Sequence, residues 1–219
     1  MEPENHKIIR EFLSPDERNL ILEWVSHISH TPDPKNPHIS FVRSGLNGNS
    51  YMIDIAKTEP TQYVCDFQSG HDVMIVDTPP IFLSLAQKIS TIVGIPLLNC
   101  FVQIIDMGPG GIIKPHYDST FSGMCNYKCN ISVISEDYIF STDKKRMEIS
   151  QGDLYCFEAS LYKHWSEREF SKKRVLLSFG FLLPYSVLGW NLDDPRVRLS
   201  ERIQKKFQKP DKTRMSCKK

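Results

Sequence analysis

The sequence predicts a mostly β chain with flanking helices, an antiparallel barrel or sandwich, and three observations carry that expectation. After Pro96, apolar runs of strand length alternate with short polar breaks at Leu97–Ile105, Tyr127–Ser135, Tyr138–Phe140, Arg146–Ile149, Leu154–Phe157 and Arg174–Leu183. No helical pattern separates successive runs, which argues against a parallel, doubly wound sheet with helical crossovers. Two helical patterns precede the strands, and their apolar faces need a sheet or another helix to cover them.

The first helix opens at Ser14-Pro15-Asp16-Glu17, where Ser14 can cap, Pro15 suits the first turn and Glu17 completes a capping box. Leu20, Ile21, Trp24, Val25 and Ile28 share one face, and the pattern predicts an end near His30. Residues 31 to 68 are rich in Pro, Asn, Gly and Ser, with short apolar pieces such as Tyr51-Met52-Ile53, and are expected to form loops with minor strands bordering a site. Pro79-Pro80 opens a second helix carrying Ile81, Leu83, Leu85, Ile89, Ile92 and Val93, and Gly94 is placed to end it. One domain is expected in three parts: 1–96 as helices and substrate-side loops, 97–184 as the core, and 185–219 as a basic helix and tail.

A chain of 219 residues can close one hydrophobic core and is too short for two ordinary catalytic domains. A net charge of +1 supplies no whole-molecule field for nucleic acid or an anionic membrane, so such a partner would need a local patch. The tail from Arg196 is the one candidate, with ten Lys or Arg against two acids, and is read first as a solvated terminal helix. The first residues lack a secretory pattern and no stretch reaches the length of a membrane span, so an intracellular protein, cytoplasmic or nuclear, is expected. Six scattered cysteines are expected as reduced thiols, and Cys125 and Cys129 lack the second pair a zinc site would need.

The chemistry-bearing segment is Met107-Gly108-Pro109-Gly110-Gly111-Ile112-Ile113-Lys114-Pro115-His116-Tyr117-Asp118, in which a strand breaks at glycines and re-emerges with His and Asp two apart. Period two would put both side chains on one face. An imidazole and a carboxylate there supply two legs of a facial triad that leaves adjacent positions on Fe(II) open. His164, just after the run Leu154–Phe157, supplies the third leg. Arg174, opening the last long strand, offers a guanidinium for the far carboxylate of a dicarboxylic co-substrate. Ser178 lies on the same strand face as Arg174 and could donate to that carboxylate. Tyr155, Phe157, Tyr162 and Trp165 are assigned to core packing, with Trp165 a candidate for the pocket lining.

The pattern His116-x-Asp118, His164, Arg174 resembles the Fe(II)/2-oxoglutarate oxygenase superfamily over residues 97 to 184. That resemblance implies a double-stranded β-helix core of the jelly-roll or cupin type, with Fe(II) held by His116, Asp118 and His164 and 2-oxoglutarate held by Arg174. Residues 152–160, with His164-Trp165 and Arg174-Val175-Leu176-Leu177, are similar to the aspartyl/asparaginyl β-hydroxylases, where Lys128 and Asn130 would also touch co-substrate. Leu13–Trp24, Asn99 and Arg174-x-x-x-Ser178-Phe179 are similar to the AlkB-like demethylases, and the prolyl hydroxylases share the HxD and the distal His. The implied activity is an ascorbate-supported dioxygenase that consumes O2 and 2-oxoglutarate and hydroxylates a C–H bond. A protein or peptide side chain is the favoured substrate, with nucleic-acid demethylation through the basic tail and a small-molecule substrate as alternatives. A metal-free binding module that keeps the barrel is the competing class.

Overall fold

A computed structural model describes residues 6–26, 29–33, 36–43, 50–54, 61–65, 80–97, 100–118 and 120–207. Along these residues the chain runs β1 (Lys7–Ile9), α1 (Pro15–Ser26), β2 (Ser29–Asp33), β3 (Asn36–Arg43), β4 (Ser50–Asp54), β5 (Thr61–Cys65) and α2 (Pro80–Val93). It continues with β6 (Cys100–Met107), β7 (Met124–Ile134), β8 (Tyr138–Thr142), β9 (Arg146–Ile149), β10 (Leu154–Glu158), β11 (His164–Ser166), β12 (Arg174–Pro184) and α3 (Pro195–Phe207). The larger sheet runs β1-β10-β7-β12-β6-β3-β2, with β4 against β6 and β5 against β4. The smaller sheet runs β11-β8-β9, and every strand pairing in both sheets is antiparallel.

Period two divides the larger sheet into two working faces. Cys125, Tyr127, Cys129, Ile131 and Val133 of β7 and Val175, Leu177, Phe179 and Phe181 of β12 join Ile21 and Val25 of α1 and Phe82, Leu85, Ala86 and Ile89 of α2 in one apolar cluster. Burying each large side chain there contributes about 1.5–3 kcal/mol. The opposite face meets the smaller sheet, where Tyr155, Phe157 and Leu176 pack on Tyr138, Phe140, Met147 and Ile149. The mostly β fold with helices outside is therefore observed, as two facing antiparallel sheets.

The helix signals hold in atomic detail. The Ser14 amide donates to Glu17 Oε2 at 2.8 Å and the Glu17 amide donates to Ser14 Oγ at 3.2 Å, which closes the capping box. Gly94 ends α2 with φ of 76°, and its amide donates to the Ser90 carbonyl at 2.9 Å.

Two expectations are corrected. The first helix stops at Ser26, and Ser29 to Asp33 is already strand, so the apolar pattern overran the helix. Residues 31 to 68 supply four strands of the larger sheet rather than loops with minor strands. Their Pro and Asn content reads as turns, yet β3 gains ladder partners at β2 and β6 that local propensity does not report. His27 and Ile28, and most of residues 44–79, lie outside the described residues.

The inner face of β12 includes Gly180, opposite Lys128 on β7 and Phe101 on β6. A Cβ on Gly180 would stand 2.1 Å from Phe101 Cζ, so the ring occupies the volume a side chain would need. Gly180→Ala should cost about 1–3 kcal/mol in urea unfolding, and a companion Phe101→Leu should recover most of that loss. An alanine variant as stable as the parent would show that the ring is free to leave.

Candidate metal centre

The segment after β6 reaches the site by pairing its backbone with residues 159–170. The Gly110 amide donates to the Phe170 carbonyl at 2.8 Å and the Phe170 amide to the Gly111 carbonyl at 2.9 Å. The Ser166 amide donates to Ile113, His116 and His164 exchange amide-to-carbonyl bonds at 3.2 and 2.9 Å, and the Asp118 amide donates to Ala159 at 3.0 Å. Gly110, with φ of 82°, supplies the left-handed residue at the start of this track. The sequence expectation of a re-emerging strand through Asp118 is corrected, because only His116 forms an isolated bridge, to His164. The two side chains nonetheless converge.

One donor atom from each of His116, Asp118 and His164 lies within 4.8 Å of the others. His116 Nε2 stands 3.4 Å from Asp118 Oδ1, and His164 Nε2 stands 3.8 Å from the same oxygen. Neighbouring ligands on an octahedral ion stand about 3 Å apart for bonds of about 2.1 Å, so a small contraction would seat one. The Nδ1 of His116 meets the Lys114 carbonyl at 2.7 Å and that of His164 meets the Tyr162 carbonyl at 3.0 Å. A carbonyl only accepts, so each Nδ1 carries a proton, and in the neutral form each imidazole turns its Nε2 lone pair towards Asp118. The residues fit a divalent ion with two nitrogens and one oxygen.

Exposure across the triad is uneven. The His116 side chain is 48% exposed and Asp118 24%, whereas His164 is buried beside Phe157, whose ring centroid lies 4.8 Å away. The open side of the centre is therefore the His116 side. Burial alone would raise the Asp118 pKa, but the Lys128 ammonium 3.6 Å from Oδ2 and the two imidazoles hold it well below the ordinary carboxylate range. Burial pushes His164 down to about 4, while for His116 burial is outweighed by the Asp118 hydrogen bond and charge, so its pKa is raised.

Behind the triad, the inner face of the larger sheet carries two polar rows. Strand register sets Phe157, Lys128, Gly180 and Phe101 side by side, and next to them Tyr155, Asn130, Ser178 and Gln103. Arg174 is fully buried at 0% exposure. Its Nη2 donates to the Tyr138 hydroxyl at 2.6 Å and to that of Tyr155 at 3.2 Å, and Nη1 points at Met107 Sδ at 3.8 Å. The guanidinium lies over the Tyr138 and Phe170 rings. Its Nε and the Asn130 Oδ1 have no hydrogen-bond partner, and among the described residues no carboxylate pairs with Arg174. A buried cation without an anion is costly, and the arrangement has the chemistry of an anion site.

The structure thus brings His116, Asp118 and His164 together, sets Lys128 against Asp118, and places Asn130 and Ser178 on the face that leads to Arg174. Sequence reasoning missed Tyr138, Met107 and Phe170 around the guanidinium and assigned Tyr155 to packing. Tyr155 does pack, but its hydroxyl bonds Arg174 and Asn130. A tyrosine on an inward strand position two residues from Phe157 was the available signal. Cys125 and Cys129 face the outer core as buried free thiols, and the triad is the one such cluster of metal-ligating side chains among the described residues.

Neither a protein-family model nor a curated protein matches the sequence. Solved structures do match in fold. A 2OG-Fe(II) oxygenase family oxidoreductase from Burkholderia pseudomallei superposes with a TM-score of 0.54 at 13% identity, over 80% of this chain and 83% of that one. HygX from Streptomyces hygroscopicus with nickel and 2-oxoglutarate bound superposes with a TM-score of 0.51 at 11% identity, over 80% and 82%. Its complex that also holds hygromycin B gives 0.50 at 10% identity, over 80% and 82%. The chain has the fold of the 2-oxoglutarate/Fe(II) oxygenases, and the triad stands among its described residues.

The histidines should titrate apart in the metal-free protein. Nuclear magnetic resonance of the imidazoles is expected to show His116 titrating above 6.5 and His164 still neutral near pH 5. Because the folded pKa of His164 is depressed, the unfolded chain binds its proton first, and stability is lost as pH falls from 6.5 towards about 4. The loss is about 3 kcal/mol. His164→Gln should flatten that slope, and an unchanged slope would place the acid sensitivity elsewhere.

Proposed function

We propose that this protein is an Fe(II)- and 2-oxoglutarate-dependent dioxygenase that hydroxylates a C–H bond of a protein or peptide side chain. The observation that carries the reading is the buried, carboxylate-free Arg174 on the same inner surface as a two-histidine, one-carboxylate cluster. His116, Asp118 and His164 hold the iron. Arg174 takes the far carboxylate of 2-oxoglutarate, with its unpartnered Nε and the hydroxyls of Tyr138 and Tyr155 around it. Ser178 and the free Oδ1 of Asn130 lie along the path to the metal, and Lys128 stands at the metal end.

Bound iron with 2-oxoglutarate supplies O2 activation coupled to oxidative decarboxylation, giving succinate and carbon dioxide. The chain's own contribution is orientation and dryness. The aromatic walls Tyr138, Phe140, Phe157 and Phe170 exclude water from the co-substrate, and both Nδ1-to-carbonyl bonds keep the imidazoles aimed. The exposed His116 edge is the side from which a peptide would approach the centre.

Protein supplied with Fe(II), ascorbate and labelled 2-oxoglutarate should release carbon dioxide, and His116→Ala should abolish it. Arg174→Met should raise the 2-oxoglutarate requirement about thirtyfold or more, as expected for truncating a buried charged pair. Equal release from parent and both variants would end the oxygenase reading. Mass spectrometry of peptide, nucleic-acid and small-molecule panels for a gain of one oxygen atom then assigns the substrate class.

A further inference from the structure

Lys128 is the one polar group of the site whose position the co-substrate reading leaves open. A lysine on the inner face of a central strand is expensive to bury, yet its residue is only 5% exposed. Its Nζ stands 3.6 Å from Asp118 Oδ2, the oxygen other than the one both imidazoles approach, and 4.8 Å from the centroid of the Phe101 ring. Phe101 in turn occupies the space above Gly180, so the lysine stem is walled by Phe157 on one side and that ring on the other. The ammonium is thus built in beside a carboxylate that a divalent cation must also use.

The charges on this inner face follow from these residues. With the imidazoles neutral, Lys128 and Arg174 against Asp118 leave one excess positive charge. A divalent cation alone would raise the excess to three, and a dicarboxylate arriving with it would return the excess to one. Without Lys128 the same states would carry zero, two and zero. An ammonium near the metal position therefore penalises the state with metal alone and is compensated only when the dianion is present.

We propose that Lys128 is a positioning residue that couples the two ligands of the site: through Asp118 it weakens capture of the bare divalent cation and makes tight metal binding conditional on the dicarboxylate. This rests on the oxygenase reading and adds an order to it. Such coupling is reciprocal, so metal and dicarboxylate each tighten the other by the same factor. The Lys128 contact to Asp118 Oδ2 leaves Oδ1 as the oxygen that faces both imidazoles and that would meet a divalent cation.

The test is a Co(II) titration of the full chain, followed by visible absorption without oxygen, with and without saturating 2-oxoglutarate. In the parent, 2-oxoglutarate should tighten Co(II) strongly. In Lys128→Met, Co(II) alone should bind at least about tenfold tighter than in the parent, and the tightening by 2-oxoglutarate should shrink by a similar factor. Lys128→Arg, which keeps the charge, should restore the parental coupling, a rescue that a role in packing would not predict. Lys128→Gln reads the same quantity if the methionine variant does not fold, as judged by circular dichroism. If Co(II) alone binds the neutral variants no more tightly than the parent, the inference is overturned while the oxygenase reading stands. If the parent binds no Co(II) that His116→Ala removes, both fall together.

Discussion

The backbone pairing of residues 110–118 with 159–170 is the constraint on which the site depends. Neither segment is a long strand, and the distal histidine is far in sequence from the HxD pair, so side-chain attraction alone could not hold the triad. Alternating amide-to-carbonyl bonds from Gly110–Phe170 to Asp118–Ala159 do so instead. They set His116 directly opposite His164, with ring centroids 4.2 Å apart. Each ring is then turned by its own Nδ1 bond to a carbonyl two residues back. Ligand placement is thus a property of the main chain, and the side chains need only be the right ones at those positions.

That track runs over an inner sheet face whose chemistry departs from the rest of the interior. The outer face of the larger sheet follows the ordinary rule, with aliphatic and aromatic side chains and buried thiols packed on two helices. On the inner face, Lys128, Asn130, Ser132 and Ser178 form a polar stripe within an aromatic cluster, and a fully buried guanidinium closes its far end. Stability alone would favour apolar residues there, since unpaired buried polar atoms cost about 1–3 kcal/mol each. Arg174 Nε and Asn130 Oδ1 keep no hydrogen-bond partner there, a departure from the ordinary interior rule that the proposed co-substrate would account for.

How much of this could be read from residue order follows from what each signal depends on. The capping box at Ser14, the glycine stop at Gly94 and the six apolar runs between residues 97 and 184 are local patterns, and the elements appear there, whereas the strand expected through Asp118 does not. So does the convergence of His116, Asp118 and His164, because residue type and order reflect the chemistry directly. What failed was non-local. Strands β2 to β5 owe their existence to partners elsewhere in the sheet, Tyr138 meets Arg174 only because the two sheets face each other, and Tyr155 reaches it from β10, two strands away in the same sheet. The approach of Lys128 to Asp118 is likewise invisible in residue order, since it depends on how far the loop after β6 folds back over β7.

The basic C-terminal segment shows how a charge pattern and a structural role can diverge. Within Pro195–Phe207 the single acid, Glu201, turns inward. It accepts from the Gly123 amide at 3.0 Å and from Ser122 Oγ at 3.2 Å, while Gln204 Oε1 accepts from the Thr120 amide at 3.0 Å. Those three residues belong to the segment that follows Asp118, so α3 straps the chain just beyond that carboxylate, where Phe121 is exposed. Arg198, Arg202 and Lys205 remain exposed on the other side. Composition alone suggests a solvated terminal helix, whereas Glu201 and Gln204 tie it to the segment after Asp118. A change at Glu201 or Gln204 would therefore be felt at the segment next to Asp118, and the helix is part of the framework around the triad.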